Sequence, residues 1–185
     1  RSLRGSLEEF KQDPITDVFE VCGTGFLVGA RMVMTSAHVL QDLDDEARKR
    51  KIPEERRRFA QFVFPESDGT WRRKFFGFRE DTVNRKRDIG ILELVTKRRF
   101  QEVPFVNQKY QPMVGDEIQV CGYSHGSILL RKQQFINRVG PILQHGYIAA
   151  LSPFDRPVPQ ALVLDLVVAP AGSGSPVFLA STGEV

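Results

Sequence analysis

Ser173 sits in the stretch Ala169-Pro-Ala-Gly-Ser-Gly-Ser-Pro-Val-Phe178, where small residues crowd around one hydroxyl. A carbonyl carbon can reach a serine Oγ only where the surroundings are bare, and Gly172 and Gly174 let the backbone turn so that N–H groups face a developing oxyanion. Serine at its own pKa is a poor nucleophile and needs a base within hydrogen-bond reach. His38 is the candidate, following the apolar run Met32-Val-Met-Thr35 and the small residues Ser36 and Ala37. Imidazole titrates close to neutral pH, so one ring can take a proton from a hydroxyl and later return it to a leaving amine. Asp88 opens the alternating run Ile89-Gly-Ile-Leu-Glu-Leu94 and would hold that ring in one tautomer. Asp81 competes as the acid, but no apolar strand follows it directly to anchor its backbone. Each residue also has an ordinary reading: Gly-Ser turns are common loops, a histidine behind a strand is usually half-buried structure, and an aspartate before a strand usually forms a turn. Found together in the order His, Asp, Ser, they favour acyl-transfer chemistry.

Short strands must position these side chains. Runs at residues 18–21, 25–28, 32–35, 59–64, 71–78 and 89–94, separated by glycines and charged turns, predict a first antiparallel barrel over residues 15–108, carrying His38 and Asp88. Residues 1–14 read as a polar arm, with a short helix over 7–11 ending before Pro14. The charged insertion 41–58 places acids first and bases later, the order a helix dipole favours, with Pro53 as its stop. Residues 96–115, with Pro104 and Pro112, read as a linker. The second barrel, residues 109–185, shows five runs at 117–122, 135–144, 147–151, 161–168 and 176–180. A hairpin turn over 181–184 would make Val185 the first residue of a returning strand. The fold class is therefore all-β, two antiparallel six-stranded barrels with the last strand of the second missing. An open barrel edge exposes unpaired N–H and C=O groups, so the natural chain is expected to continue, or another chain to supply the strand.

A length of 185 residues is ample for a sizeable core, and 41% hydrophobic with 26% charged residues is ordinary for a globular protein. The net charge of +3 calls for no nucleic-acid or membrane partner. The basic runs at 48–51 and 56–58 could form a nucleic-acid patch, but no aromatic residues interleave with them, and a solvated helical face is the simpler reading. No run approaches eighteen apolar residues. The first residue is Arg1 rather than Met, so a processed or excised piece is expected. His125 and His145 each adjoin a glycine in an expected loop, with no Cys or carboxylate at metal spacing, so both read as surface residues and no metal is expected.

Several stretches resemble the trypsin-like serine peptidases, nearer to the HtrA/DegP type than to digestive trypsins. Cys22-Gly-Thr-Gly-Phe-Leu-Val28 resembles the strand ahead of that family's histidine, Thr35-Ser-Ala-His38 its Thr-Ala-Ala-His, and Asp88-Ile-Gly-Ile-Leu-Glu-Leu94 its aspartate strand. Val114-Gly-Asp-Glu-Ile-Gln-Val-Cys-Gly-Tyr123 resembles the segment opening its second barrel, and Ser173-Gly-Ser-Pro176 its Ser-Gly-Gly-Pro. The resemblance spans roughly residues 15–185.

It implies a serine endopeptidase with nucleophile Ser173, base His38 and orienting acid Asp88, acting on extended protein or peptide substrates without metal or organic cofactor. It also implies an oxyanion hole made by the backbone N–H groups of Ser173 and Ala171. Family members carry glycine at the latter position, where alanine resists a positive φ, so the enzyme is expected to be latent until a regulatory protein or a further domain reshapes the loop. A pseudoprotease kept as a peptide-binding module is the alternative. Gly172 replaces the aspartate with which digestive relatives pair a freshly cut N-terminus, so that activation is not expected. Leu166, Val167, Val168 and Ala169 would line the specificity pocket, implying cleavage after small or medium apolar residues. Cys22 stands where secreted relatives begin a disulfide whose partner position is here Val39, so a reducing, cytoplasmic setting is expected and Cys22 and Cys121 read as small buried apolar residues.

Overall fold

The computed structural model describes residues 22–49, 51, 59–65, 68–69, 71–107, 109–123, 141–154, 159–167 and 171–185. The chain divides into two compact units, Leu27–Gln101 with Cys22, and Glu102–Val185 with the short segment Gly23–Phe26. Among the described residues the secondary structure is nine strands and one helix.

Strands β1 (Phe26–Leu27), β2 (Met32–Thr35), β3 (Phe59–Pro65), β4 (Trp71–Asn84) and β5 (Ile89–Leu94), all but Phe26 within the first unit, form one sheet in the order β1-β2-β5-β4-β3. The expected strand at 18–21 lies outside the described residues; the other five expected strands are present among those described. Strand β4 runs past the expected residue 78 because it serves two partners, with Trp71 to Gly77 facing β3 and Phe78 to Asn84 facing β5. Alternation in β2 and β5 sends Val33, Leu92 and Leu94 inward to a core shared with Leu40 of the helix. Phe62, Phe76 and Phe100 pack on it, Phe100 meeting Phe62 face to face and Phe76 edge to face, each at 5.3 Å between centroids.

Helix α1 (Ala37–Lys49) corrects the expected insertion at both ends. It begins before His38 rather than after it and ends at Lys49, with Lys51 in a left-handed conformation (φ 55°), while residues 52–58, Pro53 included, lie outside the described part. Its acids fall in mid-helix, not in the first turn, and reach forward to the terminal bases: Arg48 to Asp45 at 2.9 Å and Lys49 to Glu46 at 3.4 Å. Gly90 eases the packing of this helix, since a Cβ there would lie 3.0 Å from Leu40 Cδ1 and the leucine would have to shift slightly.

The second unit contains β6 (Glu117–Gly122), β7 (Ile142–Ser152), β8 (Ala161–Leu164) and β9 (Val177–Leu179), in the order β8-β7-β6-β9. Ile118, Val120 and Ile148 form its buried core. The two runs expected at 135–144 and 147–151 are joined in β7, with 135–140 outside the described residues. Gly146 does not break the strand. A Cβ on it would meet Asp165 Oδ1 at 2.6 Å and Leu166 Cδ2 at 3.0 Å, so the glycine serves a close approach of the segment after β8. No strand forms among the described residues of 96–116. The turn after β9 is closed by Leu179 N–H to Glu184 O and Gly183 N–H to Leu179 O, both 2.8 Å, and Val185 exchanges backbone bonds with Pro104 and Val106.

Candidate active site

Strand pairing brings His38 and Asp88 to one end of the first sheet. Thr35 lies opposite Gly90, so the residue three places after the one and the residue two places before the other emerge side by side. Between β4 and β5 the chain reverses over residues 85–88, held by Arg87 N–H to Asn84 Oδ1 at 3.1 Å, and Asp88 completes the turn at φ 55°. Aspartate tolerates this left-handed conformation better than most residues. Its two carboxylate oxygens are then divided. Oδ1 accepts the His38 backbone N–H at 2.9 Å and Oδ2 lies 2.6 Å from His38 Nδ1, while the Asp88 carbonyl accepts Ala37 N–H at 3.2 Å. Asp88 therefore satisfies N-terminal amides of α1 that no residue within the helix can reach.

Desolvation is the largest single influence on the Asp88 carboxyl and raises its pKa, but the hydrogen bonds from the His38 backbone and ring, the attraction of that ring and a bond from the Ala37 backbone together outweigh it. The net effect holds Asp88 below its ordinary value. An ionised carboxylate can only accept, so the proton on this imidazole belongs on Nδ1 and the lone pair is left on Nε2. A ring so arranged is a base with a fixed direction.

Ser173 and Ala171 belong to the other unit. The expected glycine freedom is used differently from the reading of the sequence: positive φ falls at Ala171 (67°) and Gly174 (82°), and Gly172 is buried. Ala171 thus adopts the conformation that alanine was expected to resist. Of the three non-glycine residues with positive φ among those described, two are the site candidates Asp88 and Ala171, and strain of this kind collects at functional sites. Among the described residues neither the Ala171 nor the Ser173 N–H donates to a protein acceptor. Ser175 is no rival nucleophile, because its Oγ is enclosed and has no hydrogen-bond partner.

Thr24 was missed by the sequence reading. Only 6% exposed, it donates its N–H to Ser173 O at 2.8 Å and its hydroxyl to Ala171 O at 3.2 Å, and accepts Tyr123 N–H at 2.8 Å. Gly122 was missed too: a Cβ there would lie 2.0 Å from Ser175 Oγ and 3.0 Å from Thr24 Oγ1. The one available signal was the run Gly23-Thr-Gly25, in which a threonine stands where flanking glycines allow close backbone approach.

Val167 is 84% exposed, its carbonyl accepting Gln144 Nε2 at 2.7 Å, and Leu166 packs on the second core; Val168 and Ala169 lie outside the described residues. Asp81 is exposed and bonded to its neighbour Thr82, not to His38. His125 also lies outside the described residues. His145 is a correction: it stands on β7 rather than in a loop, exposed, with Nε2 2.6 Å from Glu117 Oε1. Among the described residues no three metal-ligating side chains come together, no helix is long and apolar enough to cross a membrane, and no disulfide joins Cys22 to Cys121.

The chain belongs to the trypsin-like peptidase domain family, which it matches over residues 23–185. Its fold is similar to that of the MamO protease domain from Magnetospirillum magneticum in its apo form, at 16% identity and a TM-score of 0.54, covering 88% of this chain and 72% of that one. It is similar also to Deg5, at 17% identity and a TM-score of 0.58, covering 88% of this chain and 70% of that one. The fold is thus the all-β chymotrypsin-like fold. No curated protein matches the chain.

Proposed function

We propose that this chain is a serine endopeptidase domain in which Ser173 is the nucleophile, His38 its base and Asp88 the acid that orients the base. Ser173 Oγ bonds to the scissile carbonyl carbon as its proton passes to His38 Nε2. The oxyanion so formed takes the N–H groups of Ala171 and Ser173, and its collapse breaks the C–N bond as the imidazolium returns the proton to the leaving amine. Water, deprotonated by the same ring, then releases the acyl group from Ser173. The observation that carries this reading is the 2.6 Å contact of His38 Nδ1 with Asp88 Oδ2, which leaves Nε2 as the basic atom in a chain of this family.

The exposed apolar Val167 supports cleavage after small or medium apolar residues, on protein or peptide substrates bound extended. The strain at Ala171 makes its loop the part of the site most easily switched, which supports regulation by a partner protein or neighbouring domain. The same residue favours a second reading, a pseudoprotease that binds peptides without cutting them. A fluorophosphonate probe decides: labelling that disappears in Ser173→Ala and falls at least about 100-fold in His38→Ala supports the enzyme. Absence of labelling alongside retained peptide binding supports the binding module. A peptide-library digest dominated by Lys or Arg before the cleaved bond overturns the specificity.

A further inference from the structure

Thr24 comes from the far end of the sequence to the candidate nucleophile loop, and its bonds fall in a pattern. It holds the carbonyls of Ala171 and Ser173, which belong to the 171–172 and 173–174 peptide planes. The N–H groups assigned to the oxyanion belong to the 170–171 and 172–173 planes. The second of these is bracketed by two planes that Thr24 fixes. Thr24 Oγ1 accepts Tyr123 N–H, which can only donate, and donates its own proton to Ala171 O. Ala171 needs such a restraint, because φ 67° is disfavoured for a residue with a Cβ and the chain would relax from it if released. Gly122 leaves room for this arrangement by lacking the Cβ that would displace Ser175 Oγ and crowd Thr24 Oγ1.

We infer that Thr24 is a positioning residue: its side-chain hydroxyl holds Ala171 left-handed and so keeps the N–H groups of Ala171 and Ser173 directed at the oxyanion. This deepens the peptidase reading and rests on it for its catalytic consequence, while the conformational claim stands by itself.

The test uses the 185-residue chain with Thr24→Val, which keeps the shape and loses the hydroxyl, Thr24→Ser, which keeps the hydroxyl, and Thr24→Val combined with Ala171→Gly. Amide exchange over residues 171–175 and the rate of Ser173 labelling by a fluorophosphonate are both measured. Thr24→Val is expected to raise exchange over 171–175 at least about tenfold without a matching rise in β7, and to slow labelling about 10- to 100-fold, approaching the loss of one oxyanion donor. Thr24→Ser should stay within about threefold of the parent on both measures. Glycine needs no restraint at positive φ, so the double variant should recover most of the lost labelling rate. Unchanged exchange over 171–175 in Thr24→Val, or no recovery in the double variant, overturns the inference. If Thr24→Val does not fold, a folded double variant supports it and an unfolded one overturns it. A parent chain that takes no label defeats the peptidase reading alone, since exchange still decides the restraint.

Discussion

Asp88 does two jobs with one carboxylate. One oxygen caps the helix that carries His38, the other orients the ring, and the same bonds draw its pKa down. A lowered carboxyl contributes stability that is present above the unfolded value, near the ordinary 3.8, and is lost as pH falls from there through the lower folded value. Asp88→Asn should therefore flatten the acid limb of a stability–pH curve in that window, and unfolding curves from pH 2 to 6 that superimpose on the parent would contradict it. With about half of the side chain exposed, solvent screens the effect and the stability change is small. Activity is another matter, because an amide in that place can present its N–H₂ to the ring and select the wrong tautomer. A fall in kcat on the order of 10⁴-fold is expected, and a fall of less than about tenfold would remove Asp88 from its assigned role.

The strand and loop arrangement around Gly122 rests on excluded volume. The end of β6, the nucleophile loop and the Gly23–Phe26 segment meet where a single hydrogen stands in place of a side chain. Gly122→Ala would set Cβ 2.0 Å from Ser175 Oγ, well inside van der Waals contact, and should cost about 1–3 kcal/mol as overpacking. Ser175→Gly removes the obstructing group and also an enclosed hydroxyl that has no partner, so in the Gly122→Ala background it should return part of the loss. Strictly additive unfolding free energies for the pair would mean that the two positions do not meet. Gly146 plays a related part in β7, admitting Asp165 and Leu166 so that Asp165 Oδ1 can accept Tyr147 N–H at 2.6 Å.

Each unit carries its own buried centre, Leu94 with Val33, Leu40 and Leu92 in one and Ile118 with Val120 and Ile148 in the other. Leu94 and Ile118 are each 1% exposed, and truncating either to alanine should cost about 2–5 kcal/mol. Amide exchange should rise first in the unit that carries the substitution: β2, β4 and β5 for Leu94→Ala, β6 and β7 for Ile118→Ala. Fastest exchange in the opposite unit would contradict the assignment of separate cores.

Much of this was readable along the chain. Alternating apolar residues marked β2, β5 and β6 because an in-out period of two is written locally, and Ser173, His38 and Asp88 stood out because bare, basic and acidic groups adjoin such runs. The helix starting at Ala37, the unbroken β7 and the Thr24 restraint were not readable, because each depends on a partner remote in sequence. Asp88 caps a helix 50 residues upstream, and Thr24 bonds a carbonyl 147 residues away. Local pattern determined which groups have chemistry and which segments extend. Tertiary structure decided which oxygen each N–H meets and where a missing Cβ leaves space, because hydrogen bonds and excluded volume act through distance in space and take no account of separation along the chain.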